Sequence, residues 1–204
     1  MTIRVAALAL ALAAMAACGT KPGERPPMPV HVLAVLPLST GADVHGGAVS
    51  RDDGAATVTA QIYRILAEQT AFRFAPDLTV VDALATAEVR TASGQLERAV
   101  ALGKAVGADA VIVGQVTRFS PRVGTAYGAS QGASVAFGLG LVAVGSGEEI
   151  WRGDFDDTQE ALATNIFDFW MFWSAGPRWL TAGELAGLGV DSLWPLLTAA
   201  MTPE

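Results

Sequence analysis

The sequence predicts an α/β fold: a three-layer-like mixed sheet in the order β-α-β-α-β, then a C-terminal β-hairpin, with helices packed on the sheet and an aromatic-rich helical tail. Short apolar runs, typical of strands buried on both faces, alternate with segments whose apolar residues recur at helical spacing. Helices between consecutive strands imply right-handed crossovers. The sheet is therefore expected to be at least partly parallel.

The first strand and helix are predicted from the segment that follows residue 30. Residues 31–38 form a continuous apolar run, and Pro37, which has no N–H to donate, is expected to end the strand. Residues 39–54 are rich in Gly, Asp and Ser and predict a loop. In 58–69 the apolar side chains recur at helical spacing, which predicts an amphipathic helix of about four turns.

A second strand and two helices are predicted next. The β-branched run 78–82 predicts a short strand, and Asp82 is expected to cap a brief helix that runs towards Arg90. Ser93 is a candidate cap for a second long helix, and Gly107 is placed to end it in the left-handed conformation.

The third strand and the hairpin complete the predicted sheet. Residues 109–119 begin as a buried strand and end as an alternating one, and 120–132 predict a loop of small residues. A long strand at 133–144 is joined to a returning strand at 149–155 by the turn signal 145–148.

Two interpretations of the Gly-rich strand 133–144 stay open at this point. In the first, another element packs closely against its small residues. In the second, the hairpin inserts into a membrane, for which about 9 to 11 alternating residues suffice. Arg152, Asp154 and Asp156 on the returning arm argue against insertion.

The amino-terminal segment predicts export and lipidation. A positive start at residues 2–4 precedes the unbroken apolar run 5–17, which is shorter than the roughly 20 residues of a membrane-spanning helix. Cys18, the single cysteine, follows two alanines. This arrangement resembles the bacterial lipobox, in which the cysteine takes a diacylglyceryl thioether and an amino-terminal acyl chain such as palmitate. The alternative is an ordinary signal peptide followed by a free thiol.

These features divide the chain into four parts. We expect a signal peptide at 1–17, a lipidated Pro-rich tether at 18–29, the α/β domain at 30–156, and an aromatic-rich helical extension of the same domain at 157–204. The tether contains four prolines between residues 19 and 29, which exclude a helix and favour an extended chain.

Composition argues against several classes of function. A net charge of −7 makes nucleic acid an unfavourable partner. His31 lies in an apolar strand and His45 in a loop, so no nucleophile–base pair is evident, and neither a phosphate loop nor a dinucleotide loop is found. We expect no enzyme activity, cofactor or transition metal. The acidic group Glu148, Glu149, Asp154, Asp156 and Asp157 is either a solvated strand end or a divalent-cation site.

The tail contains a dense aromatic run at 167–173. No single helix face accommodates its five aromatic side chains. They either cover the sheet or form a surface for a partner protein or a membrane. The candidate partner surface comprises Phe169, Trp170, Phe172, Trp173 and Trp179.

Two short helices are predicted after this run. Thr181 and Glu184 have the spacing of a capping box for a helix that ends near Gly187 or Gly189. Asp191 is expected to cap a last helix, with Pro195 in its first turn.

The order of elements resembles a known family. The apolar strand that ends Val-Leu-Pro-Leu, the run Gly-Ala-Asp-Ala-Val-Ile-Val-Gly-Gln-Val and the hairpin that closes with Gly-Glu-Glu-Ile-Trp-Arg-Gly are similar to TolB amino-terminal-like lipoproteins. That group includes the curli secretion-channel subunit, the activator of penicillin-binding proteins and the Pel-export lipoprotein. The resemblance covers residues 30–155 and is greatest to uncharacterised members. It implies an envelope assembly or adaptor protein.

The sequence therefore favours an outer-membrane-anchored periplasmic lipoprotein, held by Cys18, that serves as a structural or adaptor subunit of an envelope export or cell-wall assembly. Its partners would be other envelope proteins or further copies of itself. The alternative is a periplasmic module that binds a small ligand, with 120–132 as its mobile lip.

Overall fold

The computed structural model of the protein describes residues 27–41, 51–69, 71–160 and 178–202. The predicted fold class is confirmed, because a mixed sheet carries helices on both faces. The strands are β1 Met28–Pro29, β2 Val32–Val35, β3 Ser39–Thr40, β4 Arg73–Phe74, β5 Ala110–Ser120, β6 Val123–Thr125, β7 Gly128–Gln131, β8 Ser134–Ala143, β9 Glu149–Thr158 and β10 Met201–Thr202. The helices are α1 Arg51–Glu68, α2 Asp77–Leu84, α3 Ala87–Thr91, α4 Gln95–Val106 and α5 Ala182–Ala199.

The main sheet has the strand order β4-β2-β5-β8-β9, and β3 pairs with β5 beside β2. Strands β4, β2 and β5 are parallel because helices connect them, whereas β5, β8 and β9 are antiparallel. Strand β1 pairs with β10 near the two ends of the described chain. The last two residues of the predicted tether are thus held against the end of α5.

Pro37 interrupts the first strand, as predicted. Strand β2 ends at Val35, and the Leu38 N–H donates to the Thr59 hydroxyl of α1 at 3.1 Å instead of to a neighbouring strand. The ladder resumes at β3, which pairs with Gln115 and Val116 of β5. The predicted amphipathic helix is confirmed as α1, but it begins at Arg51, inside the predicted loop 39–54, and the start of that predicted loop forms β3.

The core has one layer on each face of the sheet. Helices α1 and α5 cover one face, and α2, α3 and α4 cover the other. The alternating apolar residues predicted for the long strand point to the first layer: Val135, Phe137, Leu139 and Leu141 are all buried there. On the opposite face of β8, a Cβ at Gly138 would lie 2.6 Å from an Asp154 carboxylate oxygen. This close packing of β8 inside the sheet fits the first of its two interpretations.

The predicted strand at 78–82 is wrong, because this segment belongs to helix α2. Val80 and Ala83 are buried one turn apart, and Pro76 precedes the helix in an extended conformation. On the side of β2 away from β5, the pairing strand is β4, a two-residue element too short to show a periodic pattern. The brief helix towards Arg90 exists as α3, but it starts after Thr86 rather than after Asp82.

Two further features differ from the prediction, and one agrees with it. The N-cap residue of α4 is Gly94, and Ser93 contributes its backbone N–H to Glu97 at 3.0 Å rather than a capping hydroxyl. The predicted loop 120–132 contains the small hairpin β6–β7, which Gly124 permits with a φ of 117°. Gly107 ends α4 with a φ of 69°, as predicted.

The C-terminal segment forms one helix instead of two. The capping box is confirmed: the Thr181 hydroxyl accepts from the Glu184 N–H, and the Glu184 carboxylate accepts from the Thr181 N–H. Helix α5 then continues past the predicted end because Gly187 and Gly189 are buried against neighbouring elements. Asp191 lies within the helix and pairs with Arg64 of α1 at 2.6 Å instead of capping a new one.

Candidate binding crevice

A crevice opens where the parallel strands β2 and β4 end. The chain leaves β2 towards α1 on one face of the sheet and leaves β4 towards α2 on the other, so the two helices diverge at this edge. Such a switch point, outside the carboxyl ends of parallel strands, is the usual ligand position in open α/β sheets. The crevice has a volume of about 480 Å³. Typical small-ligand sites measure roughly 300 to 1,000 Å³.

The crevice walls are mainly apolar and carry a few polar groups. The apolar residues are Pro37, Leu38, Ala55, Ala56, Ala60, Val80 and Val81. The polar residues are Ser39, Thr40, Thr59, Tyr63 and Asp77. The Thr59 hydroxyl accepts from the Leu38 N–H and donates to the Ala55 carbonyl at 2.8 Å, so it fixes the wall rather than offering a free group.

The Tyr63 hydroxyl is the distinctive polar group of the crevice. It is buried, and it has no hydrogen-bond partner among the residues that the structure describes. Leaving such a group unpaired costs about 1–3 kcal/mol. Burial, and secondly the charge of Asp77, raise the pKa of Tyr63 to about 12. The phenol is therefore protonated at neutral pH and can both donate and accept a hydrogen bond.

Asp77 is the one charged residue among the described residues that line the crevice. It is exposed in the first turn of α2, where one of its carboxylate oxygens accepts from the Leu78 N–H at 2.7 Å. A carboxylate has about four acceptor positions, so this contact leaves capacity for a ligand. The described lining of the crevice thus combines apolar walls with the negative charge of Asp77.

Two apolar side chains of α2 extend this surface outward. Leu78 is 74% exposed and Val81 is 58% exposed, and they lie three residues apart on the same side of the helix. Contiguous apolar exposure beside a cavity indicates a contact surface. The sequence prediction missed this pair because it treated 78–82 as a strand. The spacing of the two residues after Pro76 was the available signal.

Two other depressions lie among the described residues. A groove of about 640 Å³ between α3, α4 and the turn before β9 is mostly aliphatic, with Glu88, Glu97 and Lys104 at its margin. A notch between α1 and α5 contains the ion pairs Arg64–Asp191 and Arg178–Glu184. The charged side chains of this notch therefore already form ion pairs with one another.

The residues nominated from the sequence are mostly outside the described ranges. Cys18 and the aromatic run with Phe169, Trp170, Phe172 and Trp173 all lie there, so lipidation and the aromatic surface stay predictions. His45 also lies outside. The described ranges contain no helix that is both long and apolar enough to cross a bilayer.

Trp179 is half-buried and links the β6–β7 hairpin to the start of α5. The backbone N–H of Trp179 donates to the Ala126 carbonyl at 2.7 Å, and the backbone carbonyl of Trp179 accepts from the Arg122 guanidinium at 2.7 Å. Gly132 lies against its ring, since a Cβ there would approach the ring to 2.9 Å. The predicted lip 120–132 contacts Trp179, and none of its residues lines the crevice.

Two of the five acidic residues of the β8–β9 hairpin pair with arginines, and the five are spread from the turn to the far end of β9. Arg118 pairs with Asp156, and Arg152 pairs with Glu149 at 3.0 Å. Within the residues described, no three His, Cys, Asp or Glu side chains lie close enough to hold a metal ion.

Comparisons with known proteins find similarity in the arrangement of helices and strands, and no match in sequence. No protein-family model matches the chain, and no curated protein matches it in sequence. Among solved structures, the chain is similar to the LpoB C-terminal domain from Escherichia coli, with 18% identity over 72% of this chain and 94% of that one and a TM-score of 0.45. It is also similar to lipoprotein GNA1162 from Neisseria meningitidis, with 20% identity over 71% and 91% and a TM-score of 0.45.

A third likeness is to the PelC dodecamer from Paraburkholderia phytofirmans, with 12% identity over 90% of this chain and 96% of that one and a TM-score of 0.45. These structures include members of the group that the sequence resembles. At such identities and TM-scores the likeness concerns the order of elements and carries no conclusion about activity or partner.

Proposed function

We propose that this protein is a lipid-anchored periplasmic subunit of a cell-envelope assembly and that it works as an adaptor by binding a partner protein, not as an enzyme. The observation that carries the proposal is the crevice at the ends of β2 and β4, because its apolar walls continue onto exposed Leu78 and Val81. The export segment and Cys18 support the location. In this proposal the domain is tethered at Cys18 on the outer membrane.

Site-specific crosslinking in cells tests the partner surface. A photoreactive phenylalanine analogue at Leu78 is expected to form a discrete crosslinked species in the envelope fraction. The matched control is Leu196, a leucine that is likewise exposed on a helix, at 58% against 74% for Leu78, but that belongs to α5. Equal crosslinking at both positions, or none at Leu78, would contradict a specific surface at α2.

Fractionation tests the anchor independently. Because Cys18 is the proposed attachment point, Cys18→Ser is expected to release the protein into the soluble periplasmic fraction. A single acyl chain binds membranes marginally, whereas two or more hold a protein firmly. Firm membrane association of Cys18→Ser would refute the lipid anchor without bearing on the crevice.

Self-assembly is the second form that the partner can take. Light scattering of residues 18–204 carrying Cys18→Ser is expected to give a defined oligomer if the partner is another copy, and a monomer if it is another protein. The aromatic positions Phe169, Trp170, Phe172, Trp173 and Trp179 are proposed as a further contact surface, to be mapped by the same crosslinking.

Binding of a small ligand is the alternative function, and one observation favours it. The buried Tyr63 hydroxyl has no hydrogen-bond partner among the described residues, and its side chain lines a crevice of small-ligand size. Under this alternative, the crosslink at Leu78 would be absent, and a low-molecular-weight compound would co-purify with the protein.

A further inference from the structure

The charge of the crevice selects among possible occupants. Among the described residues that line it, Asp77 is the only charged one, and Asp82, also exposed, follows on the same helix. The whole chain has a net charge of −7. An anionic group would be repelled by this surface, whereas a cation would gain from Asp77. Charge complementarity therefore favours a positively charged group.

The walls of the crevice constrain what carries that charge. Apolar residues from the loop after β2, from α1 and from α2 surround the space. A lysine side chain has a flexible apolar stem and a compact ammonium with three donors, so its stem suits these walls and its head suits polar acceptors. Tyr63 supplies a hydroxyl oxygen and Asp77 a carboxylate, and both residues line the same crevice.

The surface outside the crevice indicates that the lysine belongs to a longer chain. Leu78 and Val81 face solvent beside the opening of the crevice. A small amine bound inside the crevice would not reach them, so both side chains would stay exposed to solvent. An apolar residue next to the lysine in a partner protein would cover them.

We infer that the crevice receives a lysine side chain of the partner protein, with its ammonium group between the Asp77 carboxylate and the Tyr63 hydroxyl and an apolar neighbour of that lysine on Leu78 and Val81. This inference rests on the proposed adaptor function and specifies the chemistry of the partner. Binding would give the Tyr63 hydroxyl a partner that the free protein lacks among its described residues.

A titration followed by nuclear magnetic resonance tests the inference. The protein is residues 18–204 with Cys18→Ser, and the probe is the peptide Ac-Ala-Leu-Lys-Leu-Ala-NH2. Amide shifts are expected at Tyr63, Leu78 and Val81. A second peptide with norleucine in place of lysine keeps the stem and removes the charge, and it is expected to bind about tenfold more weakly because it lacks a charge-assisted hydrogen bond. The third probe, n-butylamine, represents the free amine.

Matched variants locate the interaction. Asp77→Asn retains an oxygen for the Leu78 N–H and removes the charge, and it is expected to weaken the lysine peptide about tenfold. Asp82→Asn removes an equal charge from the same helix outside the crevice lining and is expected to leave binding within about twofold, since an exposed charge at a distance is screened. Tyr63→Phe is expected to weaken binding severalfold without unfolding the protein.

The outcomes separate the inference from the proposed function. Equal binding of the lysine and norleucine peptides, or equal effects of the two asparagine variants, would overturn the lysine site. Binding of n-butylamine as tight as that of the peptide would overturn the assignment to a partner chain. If these peptides fail while Leu78 still crosslinks in cells, the partner chemistry is wrong and the adaptor function stands. If both fail, both proposals fall.

Discussion

The packing of α5 on the sheet depends on Gly189, and Gly189→Ala tests it. An ideal Cβ at this position would lie 2.6 Å from Cδ1 and 2.7 Å from Cγ of Phe155 in β9. The ring of Phe155 is in turn packed against Phe137, with centroids 5.4 Å apart. Because the atoms contacted include the ring carbon bound to Cβ, the ring cannot simply rotate out of the way.

The expected magnitude is a difference between two opposing effects. Alanine is favoured over glycine in a helix interior by about 1 kcal/mol. Overpacking a core position costs about 1–3 kcal/mol. Gly189→Ala is therefore expected to destabilise the protein by about 1 kcal/mol. Gly183→Ala in the same helix is the control, because its Cβ would make an ordinary 3.4 Å contact with Thr57. That variant is expected to be neutral or to stabilise by up to about 1 kcal/mol.

Urea unfolding of residues 18–204 carrying Cys18→Ser measures both effects as changes in the midpoint at constant slope. Adding Phe155→Leu to Gly189→Ala creates space for the new methyl group, so the double variant is expected to lose less stability than the sum of the single ones. Equal stability of Gly189→Ala and Gly183→Ala would refute the close contact between α5 and β9. Additivity of the two substitutions would refute the role of Phe155 in it.

Three further predictions concern the segment that leads into α5. Hydrogen bonds from Arg178 lower the pKa of Glu184 from 4.5 to about 2, so the stabilisation is complete above pH 4.5 and is lost as the pH falls towards 2. Glu184→Gln should cost about 1 kcal/mol at pH 7 after allowance for solvent screening, and the stability curves of the two proteins should converge only as the pH falls through and below 2. Gln159 is only 4% exposed and bonds two backbone groups before α5, so Gln159→Leu should cost about 2 kcal/mol in urea unfolding. If Trp170 and Trp173 belong to a partner surface, changing both to Ala should leave the melting temperature nearly unchanged. A fall of several kcal/mol in stability would place them in the core.

The long elements were predictable because each satisfies a local pattern. Both β8 and α1 bury one side in the same core layer. This one-sided burial requires alternating apolar residues in a strand and apolar residues at helical spacing in a helix, and both patterns are visible in the sequence. Pro37 and Gly107 mark ends by their own covalent geometry, so their roles could also be predicted. In contrast, α5 continues through two glycines because tertiary packing stabilises it, and local signals predicted a break there.

The crevice could not be predicted because it depends on the relation between elements and not on any one of them. Tyr63 reads from the sequence as one residue of an amphipathic helix, and Asp77 as a polar residue before a strand. They converge only because α1 and α2 leave neighbouring parallel strands on opposite faces of the sheet. A two-residue β4 is enough to set this geometry, yet it has too few residues to carry a periodic signal. A strand at 78–82 would end beyond Asp77 and would place Leu78 and Val81 inside the sheet. In the structure both residues lie on α2 and form the exposed side of the proposed binding surface.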